Sequence, residues 1–229
     1  MIKVFSPTDK DYISNGDAVI NPLKARVKIE DNGDYYIYLE ADISYLNVLV
    51  ENNIIVADTP EGAQAFRIRQ SEKSGSKLKI KAYHVYYDAD NLLIADSYAV
   101  DMTCAEALEH FNDATDTESP FTTYSDITTV NSDRVVRESL SECIEHVIER
   151  WGGHLVRDNW NISILDSIGQ DRGVTIEYKN NLQNLKASYD WENVCTKLLP
   201  VGKDGQLLDD LYVESLTQYS IPFTKFERL

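Results

Sequence analysis

Residues 23–41 read LKARVKIEDNGDYYIYLEA. In the first arm Leu23, Ala25, Val27 and Ile29 alternate with Lys24, Arg26, Lys28 and Glu30, the period-two pattern of a half-buried strand. Asn32-Gly33 suits the positive φ angles of a tight hairpin turn, and the arm YYIYLEA returns as a partner strand rich in β-formers. The same pattern extends outward. After a turn carrying Pro60 and Gly62 come AQAFRIRQ (63–70) and KLKIKAYHVYY (77–87), the latter with Leu78, Ile80, Ala82, His84 and Tyr86 on one side. Residues 1 to about 86 read as an antiparallel sheet or small barrel.

The pattern changes near Asp88. Thr103 and Glu106 have the spacing of a capping box, in which hydroxyl and carboxylate satisfy free N–H groups at a helix start. A helix over about 104–114 follows, burying Cys104, Ala107, Leu108 and Phe111. A second box, Ser139 to Glu142, opens a helix whose Ile144, Val147, Ile148 and Trp151 form one apolar stripe. Gly152-Gly153 end it. HLVRDNWNISIL (154–165) reads as a hairpin turning near Asp158-Asn159, with Leu155, Trp160, Ile162 and Ile164 inward. Beyond Gly169, GVTIEY alternates through Val174, Ile176 and Tyr178, and NVCTKLLPV through Val194, Thr196 and Leu198. The closing YSIPFTKFERL is one more strand-like piece without turn or cap, as in a chain cut from a longer protein.

The expected fold class is therefore α+β, mainly β. Residues 1–87 are expected to form a β-barrel-like domain, 88–168 an outlying or inserted α+β domain with two helices, and 169–229 the start of a second β-barrel-like domain, incomplete here.

Composition narrows the function. The chain has 229 residues and a formal charge of −16. Such a balance argues against a groove that grips nucleic acid, since those collect Lys and Arg. It is compatible with a surface that nucleic acid passes without sticking. No apolar run is long enough to span a bilayer, and MIKVFSPTDK lacks a secretory pattern. Cys104, Cys143 and Cys195 are odd in number and widely spaced, which suits buried reduced thiols better than disulfides or zinc.

Motifs for chemistry are weak. KLLPVGKDGQLL (197–208) runs from an apolar stretch into glycines and a lysine, as phosphate loops do, but Asp204 follows Lys203 and no capped helix comes after. GKDG reads as a turn, with Gly202 and Gly205 serving backbone geometry and Lys203 and Asp204 facing solvent. There is no G-x-S-x-G. His84, His110, His146 and His154 have no zinc spacing, and His84 reads as a hydrogen-bonded core group. No catalytic, cofactor-binding or metal residue is assigned, and no cofactor is expected.

Four segments carry a resemblance: DNLLIADSYAVDMTCAEAL, ERWGGHLVRDNWNISIL, GQDRGVTIEYKNNLQNLKASYDWENVCTKLLPVGKDG and LYVESLTQYSIPF. In this order, over about residues 80–222, they resemble the N-terminal module of tail-tip proteins of phages and prophages, the prophage endopeptidase tail or phage minor structural protein family. The resemblance implies a structural protein similar to the baseplate hub of contractile tails. It implies a homotrimer of the full-length protein, forming a ring below the distal tail protein, meeting the tape-measure protein and gating the channel through which phage DNA leaves. Its place would be the virion tail tip, made in the bacterial cytoplasm. Lytic activity is expected only in a further C-terminal domain, so this chain is expected not to be an enzyme. Two alternatives remain: a peptidoglycan-degrading tail endopeptidase, and a module binding host-surface carbohydrate.

Overall fold

The computed structural model describes residues 2–169 throughout and, from there to 228, all but 170–172, 174, 179–181, 183–185, 189–193, 203, 204, 218 and 222. The chain divides into two compact units, Met1–Gln170 and Asp171–Leu229.

The first unit begins with β1 (Ile2–Phe5), β2 (Ala18–Ile20), β3 (Lys24–Ile29), β4 (Tyr35–Asp42), β5 (Ile54–Thr59), β6 (Gly62–Ser74) and β7 (Lys77–His84). They form one antiparallel sheet in the order β2-β1-β5-β6-β7-β4-β3, curled into a half-barrel. The alternation in the sequence becomes its core. Tyr35, Ile37, Leu39 and Ala41 of β4 and Leu78, Ile80, Ala82 and His84 of β7 are buried, with Phe66 and Ile68 of β6 beside them. Each strand residue buries one face because Cβ atoms alternate across a strand.

The opening arm departs from its expectation. On β3 the expected inward row is largely in solvent, with Leu23 60% and Ile29 43% exposed. The cause is position: β3 ends the sheet and is hydrogen-bonded to β4 alone, in the register Lys24↔Glu40 to Ile29↔Tyr35. Its outward Lys24, Arg26 and Lys28 are the charges that commonly mark sheet edges.

The chain then turns through a 3₁₀ segment, Val85–Asn91, into a second layer. Asp88 fastens this segment back to β6, receiving Arg67 Nη2 at 2.6 Å and Arg69 Nη2 at 2.9 Å. A bulge between Ile68 and Gln70 lets both arginines reach it. The layer comprises β8 (Leu93–Ile94), β9 (Ser97–Thr103), α1 (Cys104–Asp113), β10 (Thr122–Ser125), β11 (Val130–Val135), β12 (Glu138–Ser139), α2 (Leu140–Trp151), β13 (His154–Asp158) and β14 (Asn161–Leu165). Three small sheets result: β10-β14-β13, β11-β9 and β12-β8. The first contains the expected 154–165 hairpin, plus β10 running parallel to β14.

Both capping boxes form. Thr103 and Glu106 exchange bonds at the start of α1, and Ser139 and Glu142 do so at α2. The cap bonds hold the Glu106 and Glu142 carboxyls below the ordinary range. Helix α1 buries Cys104, Ala107, Leu108 and Phe111 as expected. Helix α2 buries Leu140, Cys143, Ile144, Val147 and Trp151, with Ile148 partly covered. These side chains and Ile162, Ile164 and Leu155 make a core distinct from that of the half-barrel, and Tyr87 packs against both.

The second unit contains β15 (Lys197–Val201), β16 (Val213–Glu214) and β17 (Thr224–Arg228), ordered β16-β15-β17 with β15 and β17 parallel. GVTIEY does not form the expected strand in its described part. Thr175, Ile176 and Glu177 are irregular, and Tyr178 forms an isolated bridge to Leu182; Val174 lies outside the described residues. Ile176 is 71% exposed, so among the described residues its alternation meets no layer to be buried against, and alternation makes a strand only against a partner surface. Val194 of the expected Val194, Thr196 and Leu198 row precedes β15, and the buried residues here are Thr196 and Pro200. Val201 bridges Leu207 across a turn in which Gly202 N–H donates to the Gln206 carbonyl at 2.8 Å. Gly205 takes φ +79°, whereas Gly202 does not require the left-handed region; Lys203 and Asp204 lie outside the described residues.

Candidate functional site

The stretch that sets the sheet pattern also builds the most elaborate polar site in the first unit. Its turn, Glu30–Asp34, is closed by Glu30 N–H donating to Asp34 O (2.8 Å) and Gly33 N–H to Glu30 O (3.3 Å). Asn32 alone takes the left-handed angle, at φ +49°. This frees the turn's carbonyls and side chains to face β13. Asn32 Oδ1 accepts from Leu155 N–H at 2.6 Å, and its Nδ2 donates to Gly153 O at 3.0 Å. Arg157 donates to Gly33 O at 2.5 Å and to Glu30 O at 2.9 Å. His154 Nδ1 meets Asp31 Oδ2 at 2.7 Å.

A second turn returns the grip. Asn159, at φ +53° in the β13–β14 hairpin, accepts from Ala65 N–H through Oδ1 (2.9 Å) and donates from Nδ2 to Ala63 O (3.1 Å). Gln64 Oε1 accepts from Asn159 N–H (3.0 Å), and Gln64 Nε2 donates to Asp158 Oδ1 (3.0 Å). Each hairpin tip thus satisfies backbone groups of the other layer, groups that are costly to bury unpaired.

Between the tips lies a closed aromatic and cationic core. His84 is 1% exposed and stacks on Tyr35, ring centroids 4.6 Å apart and 4° from parallel. Its Nδ1 accepts from Tyr86 N–H (3.1 Å), which leaves Nε2 to carry the proton and donate to Gln64 Oε1 (3.1 Å). Burial, with the nearby Arg157 charge, pushes its pKa down to about 3. Arg157 is 3% exposed, its guanidinium 5.2 Å from the Tyr35 ring and 5.5 Å from the Tyr86 ring. Burial raises the Tyr86 and Tyr87 hydroxyls above the ordinary tyrosine range.

A neutral buried histidine has a thermodynamic signature. Because folding depresses its pKa, the unfolded chain binds the extra proton first, so stability is complete above the unfolded value of 6.5 and declines as pH falls toward about 3. Urea unfolding at pH 7 and pH 4.5 should show a decline in the parent that is smaller in His84→Gln. An equal decline in both would remove His84 as its source.

A cleft of about 640 Å³ opens beside this core, lined by Asp34, Tyr87, Asp90, Arg137, Glu142 and Arg157 among others. Its serine hydroxyls are committed: Ser141 donates to Asp90 Oδ1 at 2.6 Å, and Ser139 holds the α2 cap. No histidine or cysteine lines it, so the cleft holds no nucleophile–base pair of the kind acyl transfer uses. The four histidines are dispersed: His84 in the core, His110 on Ser97, His146 beside Asp133 and Glu138, and His154 on Asp31. Among the described residues no group of three or more His, Cys, Asp or Glu is placed to hold a metal ion.

Cys104 and Cys143 are buried free thiols whose pKa burial raises. Cys195 is exposed, against the expectation of burial, because the inward side of the chain here is taken by its neighbour Thr196. The docking roles of Gln64, Arg157 and Asn159 were not visible in the sequence, where Asn159 figured only as a turn residue. Gln64 was detectable: it shares the inward parity of Phe66 and Ile68, and a polar residue in an apolar row signals a buried partner.

The fold has known counterparts, although no family model and no curated protein matches the sequence. The prophage tail protein gp18 of Listeria monocytogenes superposes with a TM-score of 0.64 at 15% identity, covering 89% of this chain and 63% of its own. The 43 kDa tail protein of prophage MuSo2 from Shewanella oneidensis gives 0.60 at 10% identity, covering 86% and 65%. A tail protein of Neisseria meningitidis gives 0.58 at 9% identity, covering 86% and 63%. The chain therefore spans less than two thirds of the length of these structures, and the architecture it shares with them is that of prophage tail proteins.

Proposed function

We propose that this chain is a structural component of a phage or prophage tail tip, acting as a baseplate-hub module and not as an enzyme. The observation that carries the reading is the likeness of nearly the whole chain, 86–89%, to three tail proteins. The site chemistry agrees with a structural role: the buried polar groups of the junction serve backbone satisfaction and layer docking.

In the finer form of the proposal, residues 1–87 are the first hub domain, 88–168 the outlying α+β domain and 169–229 the beginning of a second β domain. The full-length protein trimerises into a ring below the distal tail protein, contacts the tape-measure protein and gates the DNA exit channel, with downstream lytic or receptor-binding modules attached. The −16 charge suits a conduit that DNA must traverse without adhering. The test is assembly. The full-length protein and the distal tail protein from the same phage should co-migrate on size exclusion as a complex containing three copies of the former. A monomer that binds no distal tail protein, or release of peptidoglycan fragments by this chain from purified cell wall, would overturn the reading.

A further inference from the structure

Two buried side-chain oxygens in the described structure lack a hydrogen bond, Asp133 Oδ2 and Glu138 Oε2. Both face one imidazole. His146 Nδ1 lies 3.4 Å from Asp133 Oδ2, and Nε2 lies 3.3 Å from Glu138 Oε2. The carboxylates come from different strands, β11 and β12, and the histidine from the helix that packs on them. The Asp133 side chain is 9%, the Glu138 side chain 32% and the His146 ring 40% exposed, so a proton can reach the ring from solvent while the two oxygens Asp133 Oδ2 and Glu138 Oε2 are themselves buried.

We propose that His146 is a proton-operated latch, which in its doubly protonated form ties β11 to the β12–α2 segment. A neutral imidazole has a single N–H and can serve one carboxylate, leaving the other as a buried acceptor without a donor. An imidazolium has two N–H groups and satisfies both, with charge assistance. The two nitrogens point at different carboxylates, which excludes a shared metal ion as the missing partner. The surrounding charges are few. Arg150, one turn later on α2, places Nε 3.5 Å from Asp133 Oδ1; Glu142 lies one turn earlier and is engaged in the cap. Cys143 lies beneath, its thiol raised by burial and by Asp133 and Glu138. Between β11 and β12 the chain passes through Arg137 at φ +60°, the joint between β11 and the continuous β12–α2 segment.

The sign follows from proton binding. The latch holds when the ring carries both protons, on the acid side, and its contribution is lost when one of them leaves. This is opposite to the effect of His84, so the two are separable.

The experiment compares thermal midpoints of the full chain between about pH 5 and 8, where histidines change charge. The midpoint difference between parent and His146→Gln should be larger at the acid end by roughly 3 °C, the size of a one-interaction change in a unit of this length. The control His154→Gln removes the other histidine–carboxylate pair. Nitrogen-15 spectra of the histidine rings in the parent give a reading independent of variant folding: His146 should carry protons on both nitrogens at the acid end and one at the other. A parent–variant difference that does not change with pH, or a singly protonated His146 at the acid end, would sink the proposal.

Discussion

Gly153→Val should destabilise the first unit by about 4 kcal/mol, combining left-handed strain with overpacking, and lower its thermal midpoint by roughly 8–16 °C. Gly153 sits at φ +104°, where a Cβ would lie 2.6 Å from Ile127 Cδ1, 2.8 Å from Ile164 Cγ2 and 2.9 Å from the Leu165 carbonyl. Two of these atoms belong to the buried core and the third to strand backbone, so none can retreat cheaply. The neighbouring Gly152 is the internal control. It takes φ +80° and ψ −172° but has nothing within 4 Å of the Cβ position, so Gly152→Ala should cost only about 1–3 kcal/mol, the penalty of that glycine-only backbone region alone. Urea unfolding followed by near-ultraviolet circular dichroism measures both. Equal costs would mean that local angles, not packing, govern the helix exit.

Arg157→Ala should cost about 3 kcal/mol. The loss leaves the Glu30 carbonyl without its guanidinium donor and the Gly33 carbonyl with only the Tyr87 hydroxyl, at 3.2 Å. It also empties the space between the Tyr35 and Tyr86 rings. Because Asn32 serves the same docking contact, through Leu155 N–H and the Gly153 carbonyl, the pair Arg157→Ala and Asn32→Ala should be non-additive. The double variant should lose less than the sum of the singles, by about 1 kcal/mol or more. Strict additivity would show that the two side chains act at independent places.

Much of this architecture is legible in the residues themselves. Alternation on β4 and β7, the two capping boxes and the turn at Asp158-Asn159 are local signals, each contained within a dozen positions, and each appears in the fold where its residues imply it. What could not be read depends on neighbours distant in sequence. Nothing within LKARVKIE distinguishes a central strand from an end strand; that depends on which strand pairs beside it. GVTIEY has the alternation of a strand, but alternation is realised only where a second surface is supplied. The ribbon of β9 and β11 was hidden for the converse reason, since Tyr98, Val100 and Val130 are exposed and blur the inward row. The junction was hidden because its logic is pairwise: Gln64 and Asn159, or Asn32 and Leu155, acquire meaning only when brought together.

The interlocked hairpin tips bear on how the molecule is made. Their bonds join residues 94 to 127 positions apart in the chain, and such long-range closures slow folding. During synthesis β7 is finished at His84, yet the second-layer partners of Gln64 and of the Glu30–Asp34 turn emerge only with residues 153–159. At ordinary ribosomal speed, 75 further residues take roughly 4–15 s. Throughout that interval the half-barrel has its aromatic face and turn carbonyls open to water and to other nascent chains. Fusing a stalling sequence shortly after β7 should therefore yield an aggregation-prone or chaperone-bound intermediate, and release past the β13–β14 hairpin should let both layers set in a single step.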